Sequence, residues 1–291
     1  MRILIIFLLF TAQASALNVV TTIKPLYGLT AAIMKNVGTP TLLLADAASP
    51  HTYTLKPSDM ATLIKADMVV WVGPAMESFL TKALAVHVPL HKQCTLMETP
   101  GLTLYPTYQG DHTCCDHHHG PMDAHIWLDP LNAITMAHVI TDKLVAADPV
   151  HAATYRTNMK TLKVSLLQLH KTLEHDFKAM PKKPFFVFHD AYQYLEKRYG
   201  LQKTGVLLLS PDVPPSPKKL QAIQAAVAHY KDACLFAEPQ FSFKAIAAFF
   251  AHTPLIYGTL DPLGSSLALT DNLYTELMLA IRNQLRKCFT S

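Results

Sequence analysis

The feature that most constrains this chain is its middle, from Asn132 to about Met180, which carries no strand signal and hardly a turn signal apart from Asp148-Pro149. Within it Tyr155, Met159, Leu162, Leu166, Leu169, Leu173 and Phe177 recur at three- and four-residue spacing, while Lys160, Lys163, Lys171 and Lys178 fall off that line. Apolar residues so spaced lie on one stripe of a helix, so the pattern predicts a long amphipathic helix with a core face and a solvated lysine face. At about 1.5 Å per residue, a helix from Pro149 to Met180 extends over about 45 Å, enough to run the full height of two lobes.

On both sides of this stretch short apolar β-rich runs alternate with helical patterns. Before it come Asn18 to Thr22, a helix from about Pro25 to Lys35, Thr41 to Leu44, a helix from Ser58 to Lys65, and Met68 to Val72. After Pro181-Lys182-Lys183-Pro184 come Phe185 to Phe188, a helix from Asp190 to Tyr199, Lys203 to Leu209 and a helix after Pro217. Cys234 to Ala237, a helix near Lys244 to Ala251, and Leu255 to Tyr257 complete the series. Such alternation argues for parallel strands with helical crossovers. The expected fold is therefore α/β, with two lobes at 17–131 and 181–291 and linking helices at 132–180, including the rigid backbone helix. The two halves share element order without a clear sequence repeat.

Met1-Arg2, the apolar run Ile3 to Phe10 and the small-x-small pattern Ala14-Ser15-Ala16 read as an export signal over 1–16, with the mature chain starting at Leu17. The expected location is the periplasm, without a lipid anchor, since no cysteine closely follows the cleavage pattern. The apolar run is about half of the roughly 20 residues needed to span a bilayer. A formal net charge of +4 with scattered Lys and Arg shows no basic stripe interleaved with aromatics, which argues against a nucleic-acid partner. Five cysteines in an exported chain permit disulfides and leave at least one thiol over. Cys234, in an apolar segment, and Cys288, just after the last amphipathic helix, form the favoured pair; Cys94, Cys114 and Cys115 stay unassigned.

Fifteen histidines is a high count for 291 residues. His138, His151, His170 and His175 fall in helical patterns and read as ordinary surface or half-buried residues. His51, His125, His189 and Asp261 differ, because each sits at or after the end of an apolar run, in the loops where α/β lobes bind ligands. Three imidazoles and a carboxylate make a tetrahedral set suited to zinc. Each histidine alone reads better as a structural loop residue; their common placement makes the joint case. A second cluster, within a 108–124 loop, is the tract Gly110-Asp111-His112-Thr113-Cys114-Cys115-Asp116-His117-His118-His119-Gly120. It has no apolar face, and its imidazoles and thiols suit soft or borderline metals. The expectation is auxiliary metal capture by His112, Cys114, Cys115, Asp116, His117, His118 and His119.

At these residues the chain resembles a known family. Ser49-Pro50-His51-Thr52-Tyr53 with Lys56-Pro57-Ser58-Asp59, Ala66-Asp67-Met68-Val69-Val70-Trp71-Val72-Gly73-Pro74 and Asp123-Ala124-His125-Ile126-Trp127-Leu128-Asp129-Pro130 carry the resemblance. So do Phe188-His189-Asp190-Ala191-Tyr192, Phe236-Ala237-Glu238-Pro239-Gln240 and Gly258-Thr259-Leu260-Asp261-Pro262-Leu263-Gly264. The chain is similar to the metal-binding solute receptors of bacterial ABC importers, the cluster of ZnuA-like zinc receptors. The resemblance implies metal held in the interlobe cleft at His51, His125 and His189. Asp261 matches a family carboxylate that ligates in some members and stands close by in others. It also implies a second-lobe disulfide at positions matching Cys234 and Cys288, and an importer permease in the inner membrane as partner. The short capture tract with adjacent cysteines departs from the family's usual composition. So does Pro50, where some zinc receptors carry glutamate, which leaves the fourth position to Asp261 or to water. His189, where manganese receptors tend to place a carboxylate, tilts the cargo toward Zn2+.

The expected activity is reversible capture and delivery of Zn2+ by a monomer, without catalysis. Manganese or another divalent ion in the same kind of receptor is the alternative. A zinc hydrolase is the rival from another class, since three histidines and water also describe a catalytic zinc, but H-E-x-x-H, G-x-S-x-G and a nucleophile beside a base are missing from the sequence. An adhesin role, assigned to related receptors, has no distinguishing residue here.

Overall fold

The structure is a computed structural model that describes residues 17–45, 48–107, 122–208, 217–230, 232–241, 250 and 255–291. The export signal, the capture tract from His112 to His119 and the helix near Lys244 lie outside the described residues.

The first lobe is built from β1 (Val19–Thr21), α1 (Lys24–Met34), β2 (Thr41–Leu42), α2 (Pro57–Ile64), β3 (Met68–Trp71), α3 (Thr81–His87) and β4 (Gln93–Thr95). Its strands form one parallel sheet in the order β2-β1-β3-β4. The linker contributes α4 (Pro130–Ala147) and α5 (Ala152–Ala179). The second lobe follows with β5 (Phe185–His189), α6 (Gln193–Tyr199), β6 (Gly205–Leu208), α7 (Pro217–Ala228), β7 (Ala233–Ala237), β8 (Leu255–Thr259) and α8 (Leu273–Phe289). Its parallel sheet has the order β6-β5-β7-β8. In each sheet the chain runs outward on one side of the first strand and then returns to its other side. The order reverses there, opening a crevice at the carboxyl ends of the strands.

Helix α5 buries the seven stripe residues expected from spacing, and Lys160, Lys163, Lys171 and Lys178 stay exposed. Its start differs from the expected one. Pro149–His151 forms a separate 3-10 turn, because Asp148 spends its carboxylate on His151 Nδ1 (2.6 Å) and the Tyr155 hydroxyl (2.9 Å). The first half of α5 is fastened to the first lobe, where Asn158 Nδ2 donates to the carbonyls of Ile33 (2.9 Å) and Lys35 (2.8 Å). Its second half is fastened to the second lobe through the Asp176–Arg282 ion pair to α8 and the His170–Tyr199 contact to α6. One continuous helix thus joins both lobes.

The lobes also touch directly. At Gly28, α1 meets the start of α8 so closely that a Cβ would lie 2.8 Å from the backbone nitrogen of Tyr274, so only glycine fits. Lys24, buried at the head of α1, donates to the carbonyls of Ser265 (2.6 Å) and Leu267 (2.8 Å). Strand β4 and helix α3 had no clear sequence signal, being three and seven residues long. Helix α6 begins at Gln193 and not at Asp190, because Asp190 turns out of the sheet to pair with Lys203 (2.8 Å).

Cys234 on β7 and Cys288 on α8 form the favoured disulfide, with Cα atoms 6.2 Å apart across 54 residues of sequence. It pins the last helix to the second sheet. Chain-entropy reasoning assigns such a loop about 4 kcal/mol. Replacing both cysteines by alanine should lower the unfolding free energy by up to about that amount; urea denaturation of the two proteins checks it.

Candidate metal centre

Three of the four predicted residues converge. His51 lies on the loop between β2 and α2, His125 immediately precedes the 3-10 turn Ile126–Leu128, and His189 is the last residue of β5. The Nε2 atoms of His51 and His125 are 3.4 Å apart, and those of His125 and His189 are 3.2 Å apart. The ligand atoms of all three lie within 4.8 Å of one another, the only such group of three or more potential ligands among the described residues. A tetrahedral ion with bonds of about 2.0 to 2.1 Å holds its ligands about 3.3 Å apart, which matches the spacing.

The histidine tautomers follow from what stands behind two of the rings. His125 Nδ1 donates to Asp123 Oδ1 (2.7 Å), and the same oxygen accepts the His125 backbone N–H (3.0 Å). His189 Nδ1 donates to Glu238 Oε1 (2.7 Å) across neighbouring strands, since Glu238 directly follows β7. A carboxylate only accepts, so both Nδ1 atoms carry the proton and both Nε2 atoms present lone pairs. Those two lone pairs face each other at 3.2 Å. Such an arrangement is repulsive until a cation or a proton sits between them. Glu238 also raises the basicity of His189, as in other carboxylate–histidine–metal arrangements.

Asp261 does not join the group. It lies two residues beyond β8, where Oδ1 accepts from the backbone N–H groups of Leu263 and Gly264 (both 3.0 Å) and Oδ2 from that of Ser265 (2.5 Å). Gly264 adopts φ +68°, which closes this turn in a conformation that suits glycine. Gln240 Nε2 adds a further donor to Asp261 Oδ1 at 2.9 Å. Sequence reading missed Asp123 and Glu238 as partners of the imidazoles, although both stood inside quoted motifs. The Asp-x-His spacing could have flagged the first. The second depends on β5 lying beside β7, which no local pattern displays.

The cavity bounded by the three histidines is also lined by Trp127, Glu238, Gln240, Phe241 and Leu263. Burial, with the neighbouring charges of His125 and His189, pushes the His51 pKa down to about 2, so this ring stays neutral. Burial alone would also lower His189, but Glu238 outweighs it, with help from Asp190 and Asp123, and the net shift is upward.

A family model described as the periplasmic component A of the zinc-uptake complex, ZnuA, matches residues 19–288. The chain belongs to the ZnuA family. It is 36% identical over 288 residues to the high-affinity zinc uptake system protein ZnuA of Yersinia pestis, covering 93% of this chain and 90% of that protein. Its fold matches a crystal structure of ZnuA with TM-score 0.79 at 22% identity, over 94% of this chain and 99% of that one. It is also similar, at 26% identity and TM-score 0.74, to the laminin binding protein of Streptococcus agalactiae, described as bifunctional with adhesin and metal transporting activity. That match covers 93% of this chain and 100% of the other. No helix among the described residues is long and apolar enough to cross a membrane.

The opposed shifts of His51 and His189 can be read directly. In the metal-free protein, imidazole nitrogen NMR should show His189 protonating above the usual histidine value and His51 remaining neutral at pH 5. Glu238→Gln should lower the His189 midpoint, because it removes the charge that favours the imidazolium.

Proposed function

We propose that this chain captures Zn2+ in the cleft through His51, His125 and His189 and hands it to an ABC-type permease in the inner membrane. The observation that carries the reading is the pair of Nε2 lone pairs 3.2 Å apart, each fixed by a carboxylate behind its ring, with a third neutral imidazole beside them. Nitrogen donors suit zinc, whereas manganese favours carboxylate and water oxygen. The names of the relatives, which describe zinc uptake, support the same cargo. The periplasm is the compartment in which such a carrier meets its permease, and the export signal read over 1–16 fits it. The function is transport binding, with no bond made or broken in the cargo.

The capture tract from His112 to His119 is proposed as an auxiliary collector that feeds the cleft. Asp261 retains a role at the margin of the site, through the turn it organises.

Protons compete with the ion for the same lone pairs. Below its raised pKa His189 is charged and cannot ligate, so zinc affinity should be weaker at pH 5.5 than at pH 7.5, with protons released on binding. Equal affinity at the two values would contradict the reading. In competition, zinc should bind more tightly than manganese, His189→Ala should abolish tight binding, and deletion of residues 111–119 should leave one tight site per chain. Calorimetric titration of the three proteins measures all of this, and tighter binding of manganese would end the zinc assignment.

A further inference from the structure

The solvent side of α5 has a pattern of its own. Arg156, Lys160, Lys163, Lys171 and Lys178 follow one another at spacings that place them within an arc of about 80° on the helix, clear of the buried stripe from Tyr155 to Phe177. From first to last they extend over about 33 Å. All five are exposed, and among the described residues none of them forms an ion pair. Glu174 is the one acid on the same arc, since Asp176 is taken up by Arg282 of α8. The stripe thus carries a net +4, which equals the formal net charge of the whole chain. Elsewhere acids and bases cancel.

Such an arrangement is unfavourable for the helix alone. Like charges three or four residues apart, as in Arg156, Lys160 and Lys163, repel one another along its surface. Between Lys163 and Lys171 the same side exposes two apolar residues, Val164 (68% exposed) and Leu167 (37%). A basic helix face with aliphatic residues at its middle has the chemistry that rests on an anionic interface. Other occupants fit it less well. A second copy of the chain would set five cations against five. The stripe holds no aromatic side chain on which a base could stack. No residue of it lines the cavity of the three histidines, so covering it leaves the cleft open.

We propose that this stripe of α5 lays the protein against a bilayer surface that contains anionic phospholipid, in weak and reversible contact. The cations face the headgroup phosphates, and Val164 and Leu167 enter the headgroup layer between them. Each basic residue near such a surface strengthens association by about 5-fold. The attraction acts within a Debye length, about 8 Å at physiological ionic strength, so it weakens steeply with added salt. A single helix face of this kind adsorbs without inserting. A carrier so held would meet a membrane-embedded permease by moving along the surface, with its metal site unobstructed. The proposal does not depend on which ion the cleft holds.

The test is co-sedimentation of the chain from Leu17 onward, which contains every described element, with vesicles of equal parts phosphatidylglycerol and phosphatidylethanolamine. Vesicles of phosphatidylcholine alone and soluble polyglutamate serve as controls. The wild type should bind the anionic vesicles at low salt, leave them at high salt and ignore the phosphatidylcholine. Replacing Lys160, Lys163 and Lys171 together by glutamine should weaken vesicle binding about 100-fold, and Lys163→Gln alone, too mild to disturb the helix, about 5-fold. Val164→Gln with Leu167→Gln should weaken it without changing its salt dependence. Zinc affinity, measured by calorimetry on each, should not move. Equal binding to the two kinds of vesicle overturns the proposal, as does a triple variant that binds like the wild type. Capture of polyglutamate without vesicle binding also overturns it, and assigns the stripe to an acidic protein partner.

Discussion

The structure depends on how residues 123–129 are held, because this segment leaves the first lobe and is gripped by the second. Trp127 is fully buried; its Nε1 donates to the Pro262 carbonyl (2.8 Å) and its own carbonyl accepts the Tyr274 hydroxyl (2.7 Å). The Tyr194 hydroxyl donates to the Asp123 carbonyl (2.7 Å), and Arg198 makes a two-pronged pair with Asp129 (3.0 and 2.5 Å). Asp129 in turn caps α4 by accepting from the Leu131 N–H (2.9 Å), with Pro130 at the first turn where a missing N–H costs nothing. Each neutral bond is worth about 1 kcal/mol net, and the charged pair more. Together they fix where His125 sits relative to His189, and therefore fix the lone-pair geometry on which metal binding rests.

That geometry is an electrostatic problem solved at some expense. Two carboxylates, Asp123 and Glu238, are buried beside imidazoles, 6% and 3% exposed, and among the described residues no lysine or arginine pairs with either. Burying charge without a counter-charge is unfavourable. An ion of charge +2 placed between the rings supplies the missing cation to both carboxylates through the imidazoles. The same carboxylates that make His189 a stronger base for protons make it a stronger ligand for metal. Selectivity against protons therefore comes from the number of ligands gathered and from the depressed basicity of His51, and not from weak basicity of His189.

Much of this was legible in the chain. The stripe from Tyr155 to Phe177 predicted α5 residue by residue, because a helix's period is local and its apolar face has one place to go. The alternation of short apolar runs predicted two parallel α/β lobes, and the position of His51, His125 and His189 after such runs singled out three imidazoles that the fold brings together. Glu238 and Gln240 were opaque for a different reason. Their role depends on β7 lying beside β5 and on the turn at Asp261 approaching β7, and neither pairing leaves a periodic trace. That Asp261 stands outside the three-imidazole group, tied into its own turn, was hidden for the same reason. A carboxylate after a strand can face a cleft or tie its own turn, and only the backbone path 261–265 decides which.

The shared packing also bears on how the cleft can open. Wide hinge motion would have to bend α5 between Asn158 and Asp176, separate Gly28 from Tyr274, and pull Lys24 off the 265–267 carbonyls. Bending a continuous helix and breaking several buried contacts at once is costly compared with rearranging a loop. Of the three imidazoles, His125 is held by the segment gripped by the second lobe and His189 ends a central strand of that lobe's sheet. His51 comes instead from a loop whose backbone is braced within itself, His51 N to Ser49 Oγ (3.3 Å) and Thr52 N to Ser49 O (3.3 Å). The fold thus presents a two-imidazole half-site held by the second lobe and a third imidazole on a loop of the first lobe. Moving that loop disturbs fewer of these interlobe contacts than hinge opening does.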